Sequence, residues 1–153
     1  MAFVRLLVCL DFSPLGDRVV AESIALARLA KASVVLVHVA RTEPVLSSGG
    51  VGPPAGHRVQ PADAEELRAK IDEQAQRFLD EDLEVRAELR LTDGAVHDAI
   101  LEEIDTHEAS YVVLGSHGHA EVFEILVGSV TRGVIRGARI PVIVVPDPRA
   151  TVR

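Results

Sequence analysis

Short runs rich in β-branched residues alternate with helical patterns along the whole chain, and this constrains the fold more than anything else in the sequence. Phe3–Leu10 (FVRLLVCL) reads as a buried strand, and Ser33–Val39 (SVVLVHV) as a second. Glu84–Leu91 (EVRAELRL) alternates apolar and polar, as a half-exposed strand does. Tyr111–Leu114 (YVVL) and Pro141–Val145 (PVIVV) are the last two. Continuous Val/Ile/Leu runs suit parallel strands covered on both faces. Between them, Ser13-Pro14 starts a first helix, as an N-cap followed by Pro at the first helical position, running to Ala30. Ala64, Leu67, Ile71, Ala75 and Phe78 mark one face of a second helix. Val96, Ile100 and Ile104 mark a third, and Val127, Val130, Val134 and Ala138 a fourth. This βαβαβαβαβ order predicts an α/β fold with a parallel sheet, right-handed crossovers and helices on both faces.

The 153 residues suit one domain, expected over 1–146, with a tail at 147–153. The stretch 41–61 (RTEPVLSSGGVGPPAGHRVQP) is dense in Pro, Gly and Ser and reads as a surface loop. Aromatics are 3% with no Trp, so the core must be aliphatic, and a base-stacking platform for nucleic acid is excluded. A net charge of −7 argues against a phosphate-backbone binder and an anionic membrane surface. It leaves room for one nucleotide held by backbone N–H groups. One cysteine, Cys9, rules out an internal disulfide and a Cys-based zinc cage, and reads as an inert core thiol. The apolar run Leu6–Leu10 is short, Asp11 ends it, and no small-residue cleavage site follows. The cytoplasm is therefore the expected compartment.

In doubly wound sheets, ligands bind beyond the carboxyl ends of the strands, where strand order reverses. Three loops lie there: Leu10-Asp11-Phe12-Ser13, Val39-Ala40, and Gly115-Ser116-His117-Gly118-His119 leading to Gly128-Ser129. Gly115 and Gly118 permit positive φ and close approach to a ligand. Gly128-Ser129-Val130-Thr131 places N–H groups and two hydroxyls at a helix N-terminus, which favours anions. The plainer reading is a glycine turn with Ser129 as N-cap. Asp11 has two readings as well, a ligand contact or a helix cap shared with Ser13.

The spacing Gly115-x-x-Gly118, nine residues, then Gly128-Ser129 resembles the G-2x-G-9x-G-(S/T) signature of the universal stress protein family. The stretch YVVLGSHGHAEVFEILVGSVTRGVIRGARIPVIVVP resembles that family's C-terminal third. LLVCLDFSP resembles its first strand and acidic loop, LVHV its second strand, and LTDGAVHDAIL its Gly-led third helix. The resemblance implies a Rossmann-like (adenine nucleotide alpha hydrolase-like) three-layer sandwich with a five-stranded parallel sheet in the order 3-2-1-4-5. It implies a homodimer paired through the last strand, which agrees with the apolar edge expected at Pro141–Val145. It also implies an ATP site. Asp11 and Ser13 would serve from the first loop, and Val39 would line the adenine pocket. Leu114 and Gly115 would lie beside the ribose, with Gly118 and His119 beginning the phosphate-facing loop. Gly128, Ser129, Val130 and Thr131 would hold the phosphates. Mg²⁺ bridging the phosphates fits this picture, with no dedicated metal cage.

One departure stands out. Many nucleotide-binding members carry Lys or Arg between the second and third motif glycines, where this chain has HAEVFEILV with Glu121 and Glu124. AMP or a cyclic nucleotide is therefore an alternative ligand, and an interaction module without nucleotide an alternative function. No base or basic finger for phosphoryl transfer is evident, so any ATP hydrolysis should be slow. His38 is expected to be packed in its strand, His97 and His107 on helix surfaces, His57 in the loop at 41–61, and His117 exposed. No HExxH or comparable metal-ligand spacing appears.

Overall fold

The computed structural model describes residues 3–42, 58–59, 63–117 and 127–148. The elements run β1 (Arg5–Leu10), α1 (Gly16–Ala30), β2 (Ser33–Thr42), β3 (Arg58–Val59), α2 (Ala64–Leu79), β4 (Val85–Thr92), α3 (Val96–Thr106), β5 (Tyr111–Gly115), α4 (Ser129–Gly137) and β6 (Val142–Val145). Every strand pairing is parallel. The five long strands lie in the order β4-β2-β1-β5-β6, which is the 3-2-1-4-5 arrangement.

Alternation along each strand sends successive side chains to opposite faces, and each face has its own core. Leu6, Val8, Leu10, Val34, Leu36 and Val113 meet α1 and α2 through Val19, Val20, Ile71 and Phe78. Leu7, Val35, Val37, Val112 and Leu114 meet α3 and α4 through Ile100, Ile104 and Val134. Three layers follow, and the cores are aliphatic apart from Phe78, which is fully buried.

Three details differ from the sequence reading. The segment read as a loop contributes structure: β2 runs on to Thr42, and Arg58–Val59 forms a short parallel strand against Arg41 and Thr42. Pairing of β1 with β2 stops at Leu10 opposite His38, so the end of β2 would otherwise leave ladder groups without partners. The first helix begins at Gly16, with Leu15 as N-cap and no side-chain cap. Ser13 cannot cap it, because the Gly16 N–H donates to the Ser13 carbonyl at 2.8 Å and closes a turn ahead of the helix. The segment beyond Pro146 is anchored as far as it is described: Asp147 is buried and pairs with His117, Nε2 to Oδ2 3.3 Å.

The α3–α4 contact depends on two glycines that the sequence reading passed over. A Cβ at Gly133 would overlap the His97 side chain, and one at Gly137 would overlap Leu101. Their absence lets the two helices approach closely over β1 and β5.

Candidate functional site

The order β2-β1-β5 places the carboxyl ends of three adjacent strands side by side. The chain runs from β1 outward to β2 in one direction and lies against β5 in the other, so this is the point where strand order reverses. Asp11, Val39 and Gly115 sit at those three ends.

The β1–α1 turn is held by its own side chains. Asp11 Oδ1 accepts the Ser13 N–H at 2.9 Å. Phe12 takes a left-handed φ of 55°, which lets the turn reverse. Its ring lies 4.6 Å from the His38 ring, centroid to centroid. His38 is buried, as expected, and its Nδ1 donates to the Leu10 carbonyl at 2.7 Å. The Ser13 hydroxyl is buried and has no hydrogen-bond partner among the described residues. A buried hydroxyl without a partner is uncommon and disfavoured. Here it lies in the loop beside the reversal point.

The segment after β5 folds against the start of α4. The Gly128 N–H donates to the Ser116 carbonyl at 2.6 Å, and the Ser116 N–H to the Val145 carbonyl at 2.9 Å. A Cβ at Gly128 would stand 3.2 Å from the His117 Cα, so backbone meets backbone there and the His117 segment would have to shift by a few tenths of an ångström to admit a side chain. A Cβ at Gly115 would be 2.8 Å from Leu15 Cδ2. The Thr131 hydroxyl donates to the Gly115 carbonyl at 2.8 Å, so its proton ties helix to strand end. The N-cap of α4 is Gly128, in extended backbone, with no side-chain cap. Ser129, exposed, is therefore the first helical residue and not the cap. The first intrahelical bond is Arg132 N–H to Gly128 carbonyl, at 3.0 Å. The N–H groups of Ser129, Val130 and Thr131 precede it and point out of the helix end, where an anion is stabilised.

The structure thus brings together Asp11, Ser13, Val39, Leu114, Gly115, Gly128, Ser129, Val130 and Thr131 along one edge. Gly118 and His119, and the acidic pair Glu121 and Glu124, lie outside the described residues. His117 is more enclosed than expected: its side chain is 22% exposed, its Nδ1 is 3.0 Å from the Ser116 hydroxyl, and Asp147 holds its other nitrogen. Cys9 packs against the α3–α4 core, and burial first, then Asp11 and Glu103, pushes its thiol up to about 12.

A model described as the Universal stress protein family matches residues 2–146. The chain belongs to that family. It is 31% identical over 86 residues to Universal stress protein MJ0577 of Methanocaldococcus jannaschii, a match covering 52% of this chain and 53% of that protein. The aligned region thus spans about half the length of that curated relative. Among solved structures, that of MJ0577 superposes with a TM-score of 0.73 at 22% identity, covering 95% of this chain and 96% of the other. A universal stress protein from Archaeoglobus fulgidus, solved in complex with dAMP, gives 0.68 at 26% identity, covering 94% and 98%. Another universal stress protein, solved in complex with cAMP, gives 0.67 at 21% identity, covering 95% and 98%.

Sequence reasoning missed basic groups one and two turns into α4. Arg132 and Arg136 line a cavity of about 570 Å³ together with Ser129, His97 and Gly133. The signal was the spacing Ser129, Arg132, Arg136, which puts all three on one helical face. No helix among the described residues is long and apolar enough to cross a membrane.

Proposed function

We propose that this family member is a regulatory protein that binds an adenine nucleotide, ATP first, at the carboxyl edge of the sheet. The observation that carries this reading is the glycine-capped N-terminus of α4, beyond β5 and beside the strand-order reversal. In it, the N–H groups of Ser129, Val130 and Thr131 hold phosphate oxygens, and the missing Cβ of Gly128 lets the His117 backbone pack against the helix start. Gly118 and His119 continue the phosphate-facing loop. Asp11 and the Ser13 hydroxyl, which has no partner among the described residues, serve the ribose and base edge, Val39 lines the adenine pocket, and Leu114 and Gly115 lie beside the ribose. Mg²⁺, if bound, would offset the charge of the phosphates that Ser129, Val130 and Thr131 would hold. The dAMP complex of the Archaeoglobus fulgidus protein supports the ligand class and favours a second reading, in which the physiological ligand is a monophosphate. A net charge of −7 points the same way.

The protein acts in this reading as a cytoplasmic homodimer. Ile143 and Val144 on β6 are only half buried, and β6 is an edge strand, so pairing through Pro141–Val145 covers it. Acid extraction of the purified protein should release adenine nucleotide, and calorimetric titration of nucleotide-free protein should saturate. No released nucleotide and no heat at millimolar ATP would leave a pure interaction module. Turnover of ATP should stay below about 1 s⁻¹, the low end for ordinary enzymes.

A further inference from the structure

Away from that edge, β4 carries an unusual flank. Val85, Ala87 and Leu89 point to the α1–α2 core. Alternation sends Arg86, Glu88 and Arg90 to the opposite face, where α3 packs. There, Glu103 of α3 and His107 just beyond it, one helical turn apart, meet Glu88. His107 Nε2 lies 3.0 Å from Glu88 Oε2 and 3.1 Å from Glu103 Oε2. The three ligand atoms all lie within 4.8 Å of one another. Glu103 and His107 are buried, with side chains 6% and 10% exposed, and Glu88 is one-third exposed.

We propose that Glu88, Glu103 and His107 bind one divalent cation of the zinc class, bracing edge strand β4 to the end of α3. Geometry supports it. Zinc–nitrogen and zinc–oxygen distances near 2.1 Å set the edges of a tetrahedral site at about 3.4 Å. The two separations from His107 reach that value by opening a few tenths of an ångström. One imidazole nitrogen and two carboxylate oxygens suit zinc better than magnesium, which demands an octahedral oxygen shell. Glu88 faces solvent and leaves the fourth position to water.

Charge supports it as well. Arg90 reaches Glu103 Oε1 through Nη1 at 3.2 Å and pairs with Glu102. Arg90 thus bridges two carboxylates, while Glu88 turns to His107. A divalent cation there would add positive charge where Glu88, Glu102 and Glu103 crowd together. Buried carboxylates without matching positive charge are disfavoured. Arg90 also fixes the free oxygen of Glu103, and Arg5 Nη1 donates to the His107 carbonyl. Such outer contacts hold the ligands in place. The nearby Cys9 thiol, packed among apolar side chains, is not part of the set.

The test adds ZnCl₂ alone to the full chain, stripped with chelator and free of nucleotide. The expected result is one zinc per chain by equilibrium dialysis and elemental analysis, with a rise in Tm. Glu88→Gln and His107→Gln should each lose at least tenfold in zinc affinity and lose the Tm rise. Co²⁺ substitution should give a visible d–d absorption that disappears in His107→Gln. Glu88→Gln guards the test against misfolding, since Glu88 is the most exposed ligand. Zinc binding below one per chain in the wild type would overturn the proposal. So would unchanged affinity in Glu88→Gln, which would place the ion on other histidines. Nucleotide binding at the sheet edge is measured separately, so either reading can fail alone.

Discussion

The carboxyl edge of the sheet and the outer flank of β4 treat polar groups in opposite ways. At the edge, the polar groups are mostly backbone, the helix end has no side-chain cap, and the Ser13 hydroxyl has no partner among the described residues. On the flank, the groups are charged side chains that close on one another: Glu88, Glu103 and His107 on one nitrogen, Arg90 across two glutamates. An edge with outward donors is suited to receive an anion. A flank with converging carboxylates is suited to receive a cation or to lock two elements together. The difference teaches that where side chains supply little net positive charge, backbone N–H groups are what an edge can offer an anion.

The comparison breaks most sharply at Gly128. Gly128→Val puts a side chain against the His117 backbone, and nucleotide affinity should fall by more than 100-fold, about 3 kcal/mol, with the fold retained by circular dichroism. Unchanged calorimetric affinity would remove α4 from the site. On the flank, Glu103→Ala leaves Arg90 and His107 without their shared carboxylate. Urea unfolding should show a loss of about 3 kcal/mol, the low end for breaking a buried charge pair, because Arg90 is partly exposed. Nucleotide affinity should stay unchanged in that variant, and a parallel loss would couple two regions that we treat as independent.

A smaller effect is expected between them, at the α3–α4 contact. Gly133→Ala overlaps the His97 side chain, and a cost of about 1–3 kcal/mol for overpacking is offset by about 1 kcal/mol of helix propensity. A modest drop in Tm should result, and a rise would show that the helices part freely. The smallest effect concerns Cys9. Its thiol should resist alkylation in the folded protein at pH 8 and react once urea unfolds the chain. The folded pKa of about 12 lies above the ordinary 9.0. The folded state therefore holds the proton more tightly, and this contribution to stability is full below pH 9 and lost as pH rises through 12. Alkaline stability that does not change on Cys9→Ala would contradict the assignment.

Much of the edge was legible in the sequence because glycine spacing and strand ends are local signals. β1, β2 and β5 read as buried because both faces meet helices, and their runs are continuous. The flank was less legible. Glu84–Leu91 alternates, and alternation alone cannot distinguish a face open to water from one covered by a polar helix. Glu103 and His107 show their one-turn spacing, yet Glu88 joins them only through the packing of α3 on β4. Ser13-Pro14 looked like a helix start, but the Asp11 carboxylate and the Gly16 N–H draw Ser13 into a preceding turn. Proline and glycine around 41–61 masked the short strand at Arg58–Val59, whose pairing is set by the unmatched end of β2.

The most direct test of the nucleotide edge is an amide chemical-shift titration of nucleotide-free, ¹⁵N-labelled protein with ATP. Saturable shifts are expected at Ser13, Gly115, Gly128, Ser129, Val130 and Thr131, with Glu88, Glu103 and His107 unmoved. Shifts centred elsewhere, or none at millimolar ATP, would contradict that assignment.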